Sequence, residues 1–291
     1  MAVLRYVSDL HLERISRDLS KATFLRSLYN FDREKNTKYY LALVGDIGNP
    51  IGDARKRLIQ FYNLIHPHYT KIFYVMGNHE YYCKEGYSME YIRSKLKKSI
   101  KGFPKIVILD NESFEIENIR ILGSTLWSRV DPKNEADVMK YINDYKMIHV
   151  SNDSEGDQCK INNHSRKITV QETNELNRIA REWLEKEIQS SDKPCIVLTH
   201  HAPLYSNITD KKYTCDPMYA GKSTNDAFHN DLDSFIKKPM IAWIYGHTHY
   251  VSSFTHNDVL ILTNQKGYEF ECTGYVGVKE LDLVDEFVNS I

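Results

Sequence analysis

Ile72-Phe73-Tyr74-Val75-Met76-Gly77-Asn78-His79-Glu80 carries an apolar run straight into a glycine followed by an amide, an imidazole and a carboxylate. Four other runs end in the same way. Leu4–Val7 leads into Asp9-Leu10-His11, and Tyr40–Val44 into Gly45-Asp46-Ile47-Gly48-Asn49. Cys195–Leu198 leads into His200-His201, and Ile241–Tyr245 into Gly246-His247-Thr248-His249. Short continuous runs rich in β-branched and aromatic residues predict strands covered on both faces. Ile106–Leu109, Ile119–Leu122 and Val259–Leu262 are further strands of this kind. Between them, Ala54–Ile65, Met89–Ile100 and Thr173–Ile188 space their apolar residues at helical intervals, with Trp183 expected in the core. The alternation predicts an α/β fold, and the closer spacing of the later strands makes part of the sheet antiparallel. Ligands of such sheets bind at the carboxyl ends of the strands, where these motifs fall.

Composition narrows the class. The 291 residues carry 38 Lys+Arg against 39 Asp+Glu, a net charge of −1, with 42% hydrophobic and 26% charged residues. That balance is ordinary for a globular protein and excludes disorder, collagen and coiled coil. It also disfavours nucleic acid held by bulk charge. Lys95-Leu96-Lys97-Lys98 and Lys237-Lys238 read as solvated faces rather than a DNA track. No run approaches the roughly 18 apolar residues of a membrane span. The N-terminal residues read as a strand, and the five cysteines are scattered, with no Cys-x-x-Cys. Reduced thiols and a cytoplasmic address are the expectation, with no membrane partner. A single domain over 1–291 is expected, decorated by polar inserts at about 128–168 and 208–226. The first insert is expected to hold a helix over Glu135–Tyr145. Oligomeric state is not legible.

The strand ends ask for a metal. A lone Gly-Asp or Asp-x-His commonly serves a turn. Gly-Asn-His-Glu should arise by chance in a chain of this size on the order of once in several hundred, and here it stands beside four matching strand ends. Asp9 and His11, two apart on extended backbone, are expected to point the same way. Imidazole, carboxylate and amide oxygen with no thiol suit Mn²⁺, Fe or Zn²⁺. Asp9, His11, Asp46, Asn78, His200, His247 and His249 are too many ligands for one ion and fit two that share a carboxylate. Such a pair clamps the attacking and leaving oxygens of a phosphoryl displacement and lowers the pKa of a water.

Asp9-x-His11, Gly45-Asp46-x-x-Asn49, Gly77-Asn78-His79-Glu80, His200 and Gly246-His247-Thr248-His249 resemble the five ordered motifs of the calcineurin-like metallophosphoesterase superfamily. The resemblance runs from residue 9 to residue 249 and implies a four-layer α/β/β/α sandwich with two mixed sheets. It also implies a dinuclear site for two divalent ions, with Mn²⁺ first and Fe or Zn²⁺ as alternatives. One ion would be held by Asp9, His11, Asp46 and His249, the other by Asp46, Asn78, His200 and His247. His79 would be the catalytic residue, contacting the phosphate or protonating the leaving oxygen. The first histidine after the strand is usually the ligand, so His200 is preferred and His201 is set near the substrate.

One departure matters. The protein phosphatase branch has an Asp that orients the catalytic histidine where this chain has Asn49, which disfavours a phosphoprotein phosphatase. Glu80-Tyr81-Tyr82, Gly123-Ser124-Thr125-Leu126-Trp127, Thr199-His200-His201-Ala202-Pro203 and Gln265-Lys266-Gly267-Tyr268 are similar to small bacterial-type phosphohydrolases of the superfamily. Asn49, His201, Tyr81, Trp127 and Tyr268 are accordingly the candidates for substrate contact. The expected activity is hydrolysis of a small phosphomonoester or phosphodiester, with a nucleotide among the candidates, by metal-activated hydroxide. A nuclease of the same superfamily and a metal-binding scaffold without catalysis are the alternatives.

Overall fold

The computed structural model describes residues 1–15, 18–152, 165–207 and 209–283. The stretch 153–164 of the first insert, with Cys159, and residue 208 of the second lie outside them. The strands are β1 (Ala2–Val7), β2 (Lys38–Val44), β3 (Lys71–Val75), β4 (Ile106–Ile108), β5 (Glu112–Ile116), β6 (Ile119–Ser124), β7 (His149–Ser151), β8 (Ser165–Lys167), β9 (Cys195–Thr199), β10 (Met240–Tyr245), β11 (Ser253–His256), β12 (Val259–Thr263) and β13 (Lys279–Asp282). The α-helices are α1 (Arg26–Tyr29), α2 (Ala54–Ile65), α3 (Met89–Ser99), α4 (Glu135–Tyr141), α5 (Asp144–Met147) and α6 (Val170–Gln189).

Two sheets carry the fold. The first has the order β13-β1-β2-β3-β4, parallel except for β13. The second has the order β11-β12-β10-β9-β6-β5, with a parallel centre and antiparallel edges. Their inner faces meet in one core, where Leu4, Tyr40, Ala42, Val44, Phe73 and Val75 pack with Ile121, Ile196, Leu198, Ala242 and Ile244. The outer face of the first sheet packs on α2 and α3 through Leu41, Leu43, Tyr74, Leu58, Phe61 and Ile92. The outer face of the second packs on α6, where Ala180, Leu184 and Ile188 meet Val197 and Trp243. This is the four-layer α/β/β/α arrangement expected from the motifs. Every residue of β1 and β9 is buried, because both faces of each strand are covered.

The structure differs from the expectations in four places. The helix expected over Glu135–Tyr145 breaks at Ile142, which is extended (φ −85°, ψ 134°), and restarts as α5. The break leaves Asp144 buried at the head of α5, where its carboxylate serves the site described below. Trp183 is only half-buried, at the rim of the core under α6. The edge strands β5, β11 and β13 were not expected, since a half-exposed edge needs no apolar run. Helix α6 starts three residues before the expected Thr173, on a capping box of Thr169 and Glu172. Among the described residues no helix is long and apolar enough to cross a membrane.

His229 offers a test of this packing. It is fully buried, its Nδ1 lies 3.2 Å from the Asn225 carbonyl oxygen, and its ring stacks on Tyr205. Burial pushes its pKa from 6.5 down to about 4. In that window the unfolded chain binds a proton that the folded chain refuses, so stability falls as pH drops. The slope is up to about 1.4 kcal/mol per pH unit for one group. Urea midpoints of the metal-free protein at pH 7 and pH 5 should differ accordingly, and by less in His229→Phe.

Candidate metal centre

Register brings the carboxyl ends of the central strands together. Val7 lies opposite Leu43, Val44 opposite Val75, and Thr199 opposite Tyr245. The side chains that follow converge across the gap between the two sheets. Asp9, His11 and His249 form one group that could hold an ion, and Asp46, His200 and His247 another. Asp46 faces both, with Oδ1 3.3 Å from His200 Nε2 and Oδ2 3.9 Å from His11 Nε2. Asn78 donates to Asp144 Oδ1 at 2.7 Å, which turns its own Oδ1 to within 3.0 Å of His200 Nε2.

Asp9 and His11 do not meet by strand alternation. Their φ angles are 56° and 47°, in the left-handed region, and Asp46 (54°), His247 (71°) and His249 (48°) share it. Left-handed backbone at such residues costs of order 1–3 kcal/mol each and clusters at functional sites. Here it turns each side chain off its strand axis and into the gap between the sheets. The glycines beside the ligands are explained by contact. A Cβ on Gly45 would stand 2.1 Å from His200 Nδ1, and one on Gly77 2.1 Å from Asp46 Oδ1 and 2.7 Å from His200 Nε2. Gly77→Ala should therefore displace both ligands and lower bound metal, with turnover falling in step. Metal analysis of the purified variant checks this.

The donor set fits a metal. Each imidazole has one ring nitrogen engaged by an oxygen, which leaves the other for an ion. His200 Nδ1 lies 3.1 Å from the Val44 carbonyl oxygen, His247 Nε2 3.3 Å from that of Ala227, and His249 Nδ1 2.6 Å from Glu271 Oε2. His11 Nδ1 lies 3.2 Å from Glu13 Oε1. The inward nitrogens of His11 and His249 face each other at 3.1 Å. Two bonds of about 2.1 Å to a shared ion span such a distance. The field favours positive charge at His200 and His249, whereas burial leaves the pKa values of His11 and His247 below the ordinary one. Burial alone would lower the pKa values of His200 and His249. Asp46 and Asp9 raise that of His200 to about 9, and Asp9 with Glu271 raises that of His249 to about 10.

His79 stands beside this group. Its ring stacks on Tyr82 with centroids 4.1 Å apart, and its Nε2 lies 3.2 Å from the Tyr268 hydroxyl and 3.9 Å from Asp46 Oδ2. Its Nδ1 is 3.4 Å from Glu13 Oε1. Burial opposes its charging, yet Asp46, Glu13 and Asp144 outweigh that and hold its pKa above the ordinary value. Glu80 is a structural pin. Its carboxylate accepts from the backbone of Asp46, Ile47, Gly48 and Gly77 and from the Tyr74 hydroxyl.

Of the residues expected at the substrate, the structure brings only Tyr268 to the cleft. Tyr81 is fully buried, its hydroxyl donating to Met76 Sδ and accepting from Arg93 Nε at 2.9 Å. Trp127 is buried between Tyr81 and His201. His201 is 1% exposed, with Nδ1 on the Thr125 carbonyl oxygen, and burial beside His200 pushes its pKa down to about 3. Asn49 spends its amide on backbone, donating to the Tyr82 and Glu80 carbonyls and accepting from Ile51 N–H. These four serve packing because the apolar and amide surfaces they carry are used up inside the loops. Sequence reasoning missed Glu13, Tyr82, Asp144 and Glu271. Tyr82 ends the quoted Glu80-Tyr81-Tyr82, Glu13 follows His11 by two residues and Glu271 follows Tyr268 by three, whereas Asp144 lay far from any motif.

Comparison with known proteins agrees with this geometry. The signature of the calcineurin-like phosphoesterases matches residues 5–251. The chain is 42% identical, over the full length of both, to a protein of Acanthamoeba polyphaga mimivirus named "Uncharacterized protein L509". The crystal structure of a phosphopantetheinyl hydrolase from Mycobacterium tuberculosis shares its fold, with a TM-score of 0.63 at 13% identity, covering 98% of this chain and 97% of that one. The chain belongs to the calcineurin-like phosphoesterase family, hydrolases that act on phosphoesters with the help of divalent metal.

Proposed function

We propose that this protein hydrolyses a small phosphate ester at a centre for two divalent ions, with His79 as the proton donor. The supporting observation is the convergence at the strand ends of two carboxylate–imidazole groups, each imidazole oriented by an oxygen, with His79 beside them. Asp9, His11, Asp46 and His249 would hold one ion, and Asp46, Asn78, His200 and His247 the other. Bound there, Mn²⁺, Fe or Zn²⁺ would supply charge neutralisation for the phosphoryl oxygens and a water of lowered pKa.

The chain's own residues supply the rest. Asp46 is kept ionised, because the imidazoles of His200, His79 and His11 overcome the burial that would otherwise protonate it. Asp144 and Glu271 fix the rotamers of Asn78 and His249. Glu13 accepts from His79 Nδ1, so that Nε2 is the atom turned to the cleft and able to hand a proton to the leaving oxygen.

The test is hydrolysis of p-nitrophenyl phosphate and bis-p-nitrophenyl phosphate by metal-stripped protein, with and without Mn²⁺. Turnover restored by Mn²⁺ supports the proposal, and the ratio of the two rates separates monoesterase from diesterase. Two ions bound per chain with no turnover on any ester would instead leave a binding scaffold.

A further inference from the structure

Asp46, Asn78, His247 and His249 of the ligand candidates, with His79, form one end of a cleft of about 520 Å³, and the two polar inserts supply much of its other wall. Tyr141 and Ile142 come from the end of α4, and Met218 and Tyr219 from the 3₁₀ turn Pro217–Tyr219. The inserts are tied to each other. Asn134 Nδ2 donates to Asp226 Oδ2 at 2.8 Å, and Ser223 Oγ to Asp137 Oδ2 at 2.7 Å. Tyr141, Met218 and Tyr219 are nevertheless 58%, 62% and 46% exposed. Single exposed apolar side chains need no explanation, whereas several on one cleft mark a binding surface. Phe228 continues this surface inward, its ring stacked on His247 with centroids 4.5 Å apart.

The acidic lining is mostly committed: Asp46 would serve the ions, Asp144 holds Asn78 and Tyr82, and Glu271 holds His249. Lys140 and Lys222 lie over the rings of Tyr141 and Tyr219. The ions would hold the phosphate. Tyrosine and methionine faces favour a planar ring.

We infer that the substrate is a phosphate ester whose leaving group carries a planar aromatic ring, received by Tyr141, Met218 and Tyr219. The inference rests on the phosphoesterase reading above and narrows its substrate class.

Benzyl phosphate and ethyl phosphate test it, because both leave as primary alcohols and differ in the ring. The Mn²⁺-loaded protein should favour benzyl phosphate by at least about tenfold in kcat/KM, through KM rather than kcat, the discrimination an apolar pocket gives. Tyr141→Ala combined with Tyr219→Ala should reduce that ratio about tenfold; both side chains are exposed, and a melting curve confirms folding. Calorimetric binding of benzylphosphonate against ethylphosphonate gives a second readout that needs no turnover. Equal turnover of the two esters or an unchanged ratio in the double variant would overturn the inference. Preferential binding of benzylphosphonate with neither ester hydrolysed would support the ring subsite and sink the phosphoesterase reading.

Discussion

Asp46→Asn is expected to cut turnover at least about 1000-fold while the metal-free protein folds as before. Asp46 is fully buried, and its two oxygens face opposite groups of imidazoles. Asparagine suits the site sterically, because it tolerates the φ of 54° found there and can keep the 2.9 Å acceptor for the His79 backbone N–H. What it removes is the one charge shared by both groups. Two cations would then lie among neutral imidazoles with only Asp9 in their ligand set, and the affinity for at least one should collapse. Metal analysis and a melting curve separate the causes. An unaltered melting curve without metal, together with less than two ions per chain, is the expected pair. Two ions and full turnover in Asp46→Asn would refute a shared carboxylate.

The layers and the candidate ligands are legible in the sequence for the same reason. Strands such as β2 and β9 are buried on both faces, so they read as continuous apolar runs, and the residues just beyond each run must lie at the sheet ends. Elements without such a burden were invisible. Strand β5 is mostly exposed, and β7 and β8 have only three residues each. The left-handed backbone of Asp9, His11, Asp46, His247 and His249 had no sequence signal, since only glycine and asparagine advertise that region. Residues that steer ligands from a distance were hidden too. Asp144 reaches Asn78 from 66 positions away, and Glu271 reaches His249 from 22. The aromatic candidates failed because a tyrosine or tryptophan near a motif fills the core as readily as it lines a cleft. Tyr81 and Trp127 are buried, and the cleft draws Tyr141 and Tyr219 from the inserts instead.

Under the proposed mechanism, the departure at Asn49 leaves the His79 imidazole to be oriented by another carboxylate. An Asp there would have oriented the catalytic imidazole, whereas Asn49 is bound to backbone carbonyls and does not approach the His79 ring. Glu13 provides a carboxylate from the loop after β1 instead, 3.4 Å from His79 Nδ1. Burial works against its charge, and hydrogen bonds from His11 and His79 overcome it, holding its pKa at about 2. Glu13 is thus an anion able to hold the His79 ring and favour its imidazolium, the form with a proton on Nε2 to give, although it shares itself with His11 Nδ1 at 3.2 Å.

His79→Gln should therefore lower kcat by about 100- to 10,000-fold on an alkyl phosphate, where the leaving alkoxide needs a proton. On p-nitrophenyl phosphate, whose leaving group departs as a stable anion, the loss should be far smaller. Glu13→Gln should show the same dependence on leaving group at reduced size, about tenfold to a hundredfold on the alkyl ester, because the amide still fills the space without its charge. Since Glu13 also touches His11, its variant needs a metal count. Two ions retained with a leaving-group-dependent loss assign Glu13 to His79. A loss equal on both esters, accompanied by missing metal, would assign it to His11 and leave the orientation of His79 to its stacking on Tyr82 and its contact with Tyr268.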